Sequence, residues 1–125
     1  MTDVRIAFST IDDPSKARRI ARRLVEEQVA ACVNIIPNLT SVYKWKGQVE
    51  TEAECLMIIK TVQSRLEELK ERLSQLHPYD VPEFVAFPVE SGHQPYLDWV
   101  MQNCAGRSRE EGVRNQESGI RKKGT

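Results

Sequence analysis

Val4, Ile6 and Phe8 alternate with Arg5, Ala7 and Ser9, the period-two pattern of a half-buried strand. Asp12-Asp13-Pro14 then supplies a helix start. An aspartate can cap the first free amides, and proline suits a first turn where its missing N–H has no partner to lose. Ala17, Ile20, Ala21, Leu24 and Val25 follow at helical spacing and predict a single apolar stripe. Residues 30–45 and 48–61 are rich in β-branched and aromatic types, and Lys46-Gly47 between them is a tight-turn signal. The two runs are therefore expected to form one long antiparallel hairpin. Pro37 cannot donate to a ladder and predicts a bulge or bend in the first arm. At about 3.3 Å per residue, the first arm reaches roughly 50 Å, well past an ordinary strand of about 17–20 Å. The hairpin should project from its own sheet and find strands elsewhere.

The second half of the chain reads in the same way. Ser64-x-x-Glu67 predicts a capping box ahead of a helix whose stripe is Leu66, Leu69, Leu73 and Leu76. Pro78 ends it, because the residue before a proline avoids helical geometry. Phe84 to Val89 predicts a short fourth strand, and residues 95–104 predict a third helix that opens on Pro95. The order β-α-β-β-α-β plus a terminal helix predicts a ferredoxin-like α+β fold, with the helices on one face of a four-stranded antiparallel sheet. Residues 1–105 are taken as the domain. Residues 106–125 hold only two large apolar side chains, Val113 and Ile120, and are expected to be a flexible polar tail with a modest positive charge.

Composition narrows the function classes. Hydrophobic residues at 40% and charged residues at 29% are the balance of a soluble globular protein. No apolar run approaches the length of a membrane span, and the N-terminus lacks the pattern of a secretory signal, so a cytoplasmic location is expected and membrane association is not. Eighteen basic and eighteen acidic side chains cancel, which argues against a nucleic-acid binder. The run AECLMIIK, at the third-strand position, also lacks the aromatic pairs of RNA-binding domains with this strand–helix order. Cys32, Cys55 and Cys104 make no metal-binding spacing with His77 or His93, and Cys32 and Cys55 are expected in the core. No serine, cysteine or histidine constellation points to nucleophilic catalysis, so the chain is read as a non-enzyme. Asp12 and Asp13 in the first loop would repel the phosphate that acylphosphatase-type enzymes of this fold hold there. Lys16, Arg18, Arg19, Arg22 and Arg23 on the first helix are followed by Glu26 and Glu27 and read as a solvated face. His93, in a Gly-His-Gln-Pro turn, is expected in solvent.

The segments AACVNIIP (30–37), TSVYKWKG (40–47), IIKT (58–61), HPYDVPE (77–83) and YLDW (96–99) occur in this order, and in them the chain resembles the CutA family of divalent-cation-tolerance proteins. The resemblance runs from about Val4 to Met101. It implies a ferredoxin-like protomer in a tight homotrimer whose hairpins extend one another's sheets, and an association with tolerance of copper and other divalent metals. The implied cofactor is a divalent metal such as copper. Matched residue by residue, the positions at which some bacterial members of the family place copper donors fall on Ser9, Leu76 and His77, so only His77 keeps a ligating side chain. Asn38 stands where a glycine is common, and asparagine tolerates left-handed backbone well.

Three roles stay open for His77: a metal ligand, a ring that fixes the helix exit by bonding backbone carbonyls, or part of an intersubunit cleft with Lys60, Tyr79 and Glu83. Such a cleft would suit a small anionic or zwitterionic ligand. Trp45, beside the turn, is either a cross-strand packer and interface anchor or a stacking wall of that cleft. The chain is thus expected to be a homotrimer concerned with divalent-metal tolerance, or alternatively a trimeric small-molecule scaffold with only an indirect metal role.

Overall fold

The computed structural model describes residues 1–105; the expected polar tail lies outside them. Strands β1 (Val4–Ile11), β2 (Cys32–Trp45), β3 (Gln48–Val62) and β4 (Val85–Pro88) form one antiparallel sheet in the order β2-β3-β1-β4. Helices α1 (Pro14–Glu26), α2 (Leu66–Leu76) and α3 (Gln94–Asn103) complete the ferredoxin-like α+β arrangement. Alternation along the strands divides the sheet into two faces. Ala7, Ile11, Cys55, Met57 and Ile59 point to the helices and pack with Ala17, Ile20, Leu24, Leu69 and Leu73 in a closed core. A second cluster gathers Val4, Val62, Leu97, Val100 and Cys104 beneath α3.

Local chemistry explains the boundaries. Asp13 caps α1 by accepting from the Ser15 amide, and Pro14 occupies the first turn. At the hairpin tip Lys46 and Gly47 both take positive φ, 52° and 83°, the geometry whose twist matches a two-residue hairpin. Beyond Ile36 two residues of β2, Pro37 and Asn38, oppose the single Cys55 of β3; Asn38 sits at φ 66° in this bulge. Arg65, nearly buried, donates to the carbonyls of Glu27 and Gln28 and so ties the end of α1 to the start of α2.

Several expectations need correction. Ser64 does not cap α2: it falls within a 3-10 turn, Gln63–Arg65, and the helix begins at Leu66 with no side-chain cap. The fourth strand is shorter than expected, because Phe84 turns into the main core and leaves the ladder. Val25, at the margin of the α1 stripe, is 40% exposed. Cys32 is only partly covered, because alternation puts it on the face away from the helices, whereas Cys55 and Cys104 are buried.

Candidate functional site

The end of α2 brings HPYDVPE against the far ends of β1 and β3. His77, at the helix exit, is 6% exposed. Its Nε2 lies 2.8 Å from the Thr10 carbonyl, and its Nδ1 lies 3.2 Å from the Tyr79 amide nitrogen. A carbonyl can only accept and an amide N–H can only donate. The ring therefore carries its proton on Nε2, and both nitrogens are engaged with backbone. Edge-on contact with the Tyr79 ring, centroids 4.6 Å apart, completes the corner. Held in this way, Tyr79 donates its hydroxyl to Glu54 at 2.7 Å, and Ser41 donates to the other oxygen of the same carboxylate at 2.7 Å. Glu54 is 7% exposed yet satisfied at both oxygens. Burial, and after it the Glu54 carboxylate, push the Tyr79 phenol well above its ordinary range. Thr10 completes the wall by donating to Glu83 at 3.3 Å.

Beside this network lies a concavity of about 800 Å³, walled by Thr10, Ser41, Val42, Tyr43, Trp45, Tyr79 and Val81 together with six carboxylates, Asp12, Glu50, Glu52, Glu54, Asp80 and Glu83. Among the described residues no lysine, arginine or histidine lines it. Burial and the charges of Glu52, Glu50 and Glu54 raise the Tyr43 phenol, a local sign of accumulated negative potential. The carboxylates are spread around the walls. Among the described residues no group of three or more His, Cys, Asp and Glu side chains is arranged to hold a metal ion.

The five residues expected in a cleft are only partly brought together. Tyr79, Glu83 and Trp45 line the concavity, and His77 stands behind Tyr79 and supports it. Lys60 pairs with Ile6 and Cys32, far along the sheet from Thr10 and its partner Leu56, and donates to Asn34. Within one protomer the site is therefore acidic, not suited to the anion that Lys60 would have favoured. Ser9 is fully buried under the helices, so its hydroxyl faces the core rather than His77's solvent side. His93 is exposed at the start of α3, as its turn implied. The carboxylates of β3 went unnoticed in the sequence, although VETEAE places Glu50, Glu52 and Glu54 on one face by simple alternation.

Comparison with known proteins gives one answer. Residues 5–103 match the family described as "CutA1 divalent ion tolerance protein". A Thermus thermophilus protein named "Divalent-cation tolerance protein CutA" is 48% identical over 98 residues, 78% of this chain and 95% of its own. A Mus musculus protein named "Protein CutA" is 50% identical over 99 residues, 79% of this chain and 56% of its own, so the chain spans little more than half of that relative. A solved CutA structure from Xylella fastidiosa superposes with a TM-score of 0.82 at 39% identity, covering 83% of this chain and all of that one.

Proposed function

The chain belongs to the CutA1 divalent ion tolerance family, and from that premise we propose that it acts as a non-enzymatic homotrimer in divalent-cation tolerance, with a metal role that is weak or indirect. One observation carries the assembly. Strand β1 stops pairing with β3 at Ile11–Cys55, and from there to the tip the hairpin has, among the described residues, only its own two strands. The backbone edges of Leu39–Trp45 and Gln48–Glu54 are open to a further strand. The sheet face away from the helices is also uncovered, with Ile6, Phe8, Ile36, Leu56, Ile58 and Phe87 partly or fully exposed on it. Copies of the chain suit both surfaces at once, since apolar area and unpaired backbone are removed from water together.

The donor set does not fit a tight copper centre. Of the three family positions only His77 can ligate, and metal at either ring nitrogen must displace a backbone hydrogen bond. A second reading, a trimeric scaffold for small ligands, is favoured by the concavity that Trp45 and Tyr79 wall; its carboxylates favour a cation over the anion or zwitterion first expected. Three free cysteines, two of them buried, support a reducing compartment such as the cytoplasm. No helix of the described residues is long and apolar enough to cross a membrane.

Light scattering tests the assembly: a mass three times that of the chain is expected, and a stable folded monomer at micromolar concentration overturns the proposal. Calorimetric titration of copper(II) into the wild type and His77→Ala tests the metal role. The expected result is no micromolar binding that depends on His77; micromolar binding abolished by the substitution would restore that residue as the metal site.

A further inference from the structure

The cations of α1 are not spread evenly into solvent. Lys16, Arg19, Ile20 and Arg23 stand at i, i+3, i+4 and i+7 and so share one face of the helix. On that face a groove of about 420 Å³ opens between α1 and the chain leaving α2. Its floor is aliphatic, made by Ile20, 5% exposed, and by Leu76, which packs against the main core, with Pro78 beside them. Lys16, Arg19, Arg22 and Arg23 surround that floor, and among the described residues that line the groove there is no carboxylate and no aromatic ring. The hairpin edges and the open sheet face, which the proposed assembly covers, contribute no residue to it. The groove therefore belongs to a single protomer whether or not copies assemble.

The fold answers this charge incompletely. Lys16 meets Asp12 at 3.5 Å and Arg22 meets Glu26 at 3.1 Å, exposed pairs of near neighbours that hold little energy. Arg23 meets Glu27 at 3.3 Å, but Arg72 already engages both oxygens of that carboxylate at 2.6 and 2.9 Å. Among the described residues Arg19 makes no ion pair. From Lys16 to Arg23 the helix rises about 10 Å, so the cations concentrate a positive potential over an apolar floor.

We infer that this groove binds a small aliphatic phosphate monoester free in solution. Arg19 and Arg23, one helical turn apart, reach the same head group, and each guanidinium fork matches two phosphate oxygens. A dianionic head answers more than one of the four cations, which favours phosphate over a single carboxylate. The hydrocarbon stem then lies over Ile20, Leu76 and Pro78 and leaves water. Without an aromatic ring in the lining, a nucleobase has nothing to stack on. The volume lies at the low end of small-molecule sites, roughly 300–1,000 Å³, and is too short for a helical peptide whose anchors run over several turns.

The test titrates hexyl phosphate into the full chain labelled with ¹⁵N. Amide shifts should move saturably at residues 16–23 and 76–79. Affinity should rise about two- to fourfold per methylene from ethyl to hexyl phosphate, and inorganic phosphate should bind about tenfold more weakly than hexyl phosphate or worse. Hexylammonium, with the same stem and the opposite charge, should not bind. Arg19→Gln should weaken hexyl phosphate about tenfold, the loss of one charge-assisted hydrogen bond. Arg18→Gln removes the same charge one position away, off the groove, and should leave binding intact. Both arginines are exposed, so neither substitution threatens the fold. No saturable shift at these amides, equal affinity for hexyl and inorganic phosphate, or equal weakening by Arg18→Gln overturns the inference. So does sedimentation with phosphatidylcholine vesicles carrying phosphatidic acid, if Arg19→Gln abolishes it while hexyl phosphate leaves the amides unmoved; the face would then belong to a membrane surface.

Discussion

Replacing His77 with alanine removes the ring that joins the end of β1 to the loop after α2. Two hydrogen bonds are lost, from Nε2 to the Thr10 carbonyl and from the Tyr79 amide to Nδ1, along with the edge-on contact with Tyr79 at 4.6 Å. Each hydrogen bond contributes about 1 kcal/mol net, and an aromatic pair of this geometry about 0.5–1.5 kcal/mol. The ring is 6% exposed, so the alanine also leaves a void that the corner can only partly close. The sum is a destabilisation of about 3 kcal/mol, a large fraction of the roughly 5–15 kcal/mol that holds a domain together. Tyr79 would lose its anchor as well, and with it the fixed position of the hydroxyl that serves Glu54. Urea unfolding measures the cost. The midpoint should fall in His77→Ala with the slope unchanged, and amide shifts at Ser41 and Glu54 should report the release of Tyr79. His77→Gln, which can still donate to Thr10, should recover part of the loss. A His77→Ala midpoint equal to that of the wild type would refute the corner role and reopen the ring for ligand chemistry.

Ser9→Ala should stabilise the protein. The Ser9 hydroxyl is fully buried with no hydrogen-bond partner among the described residues, and an unsatisfied buried polar group costs about 1–3 kcal/mol; a thermal midpoint several degrees higher is expected, and a lower one contradicts the argument. Glu27 lies between α1 and α2, where Arg72 donates to both its oxygens at 2.6 and 2.9 Å. That hydrogen bonding, opposed by partial burial and helped by the Arg72 and Arg23 charges, holds its carboxyl below the usual 4.5. A depressed folded value means that this stabilisation is fully present above about pH 4.5 and is lost as pH falls through the folded value. Stability measured from pH 7 down to pH 3 should therefore decline less steeply in Glu27→Gln than in the wild type; parallel curves would show that the pair contributes nothing.

The elements themselves were legible along the chain because they rest on local rules. Period-two and period-3.6 patterns, Asp13-Pro14, Lys46-Gly47 and Pro37 each act within a few residues, and each acts in the fold as those rules require. Ser64 misled because a capping box competes with the 3-10 turn that the Arg65 guanidinium holds against the end of α1, a contact across 37 positions. The concavity of one protomer takes in three of the residues expected in the cleft, and its acidic sign was not legible in the sequence. Tyr79, Glu83 and Trp45 were marked by their motifs, while the acidic wall depended on which face of the projecting β3, opposite the bulge in β2, turns toward the α2 exit. Within one protomer strand register puts Lys60 well along β3 from Thr10, whereas the cleft expected for it lies between subunits. His77 shows the division most clearly. Sequence determined that an imidazole stands between a helix and a proline, with Leu76 and Ser9 where further donors would be needed. Only the tertiary structure decided what that imidazole does, because a ring nitrogen's chemistry is set by the group that meets it in space, and here the Thr10 carbonyl and the Tyr79 amide meet both.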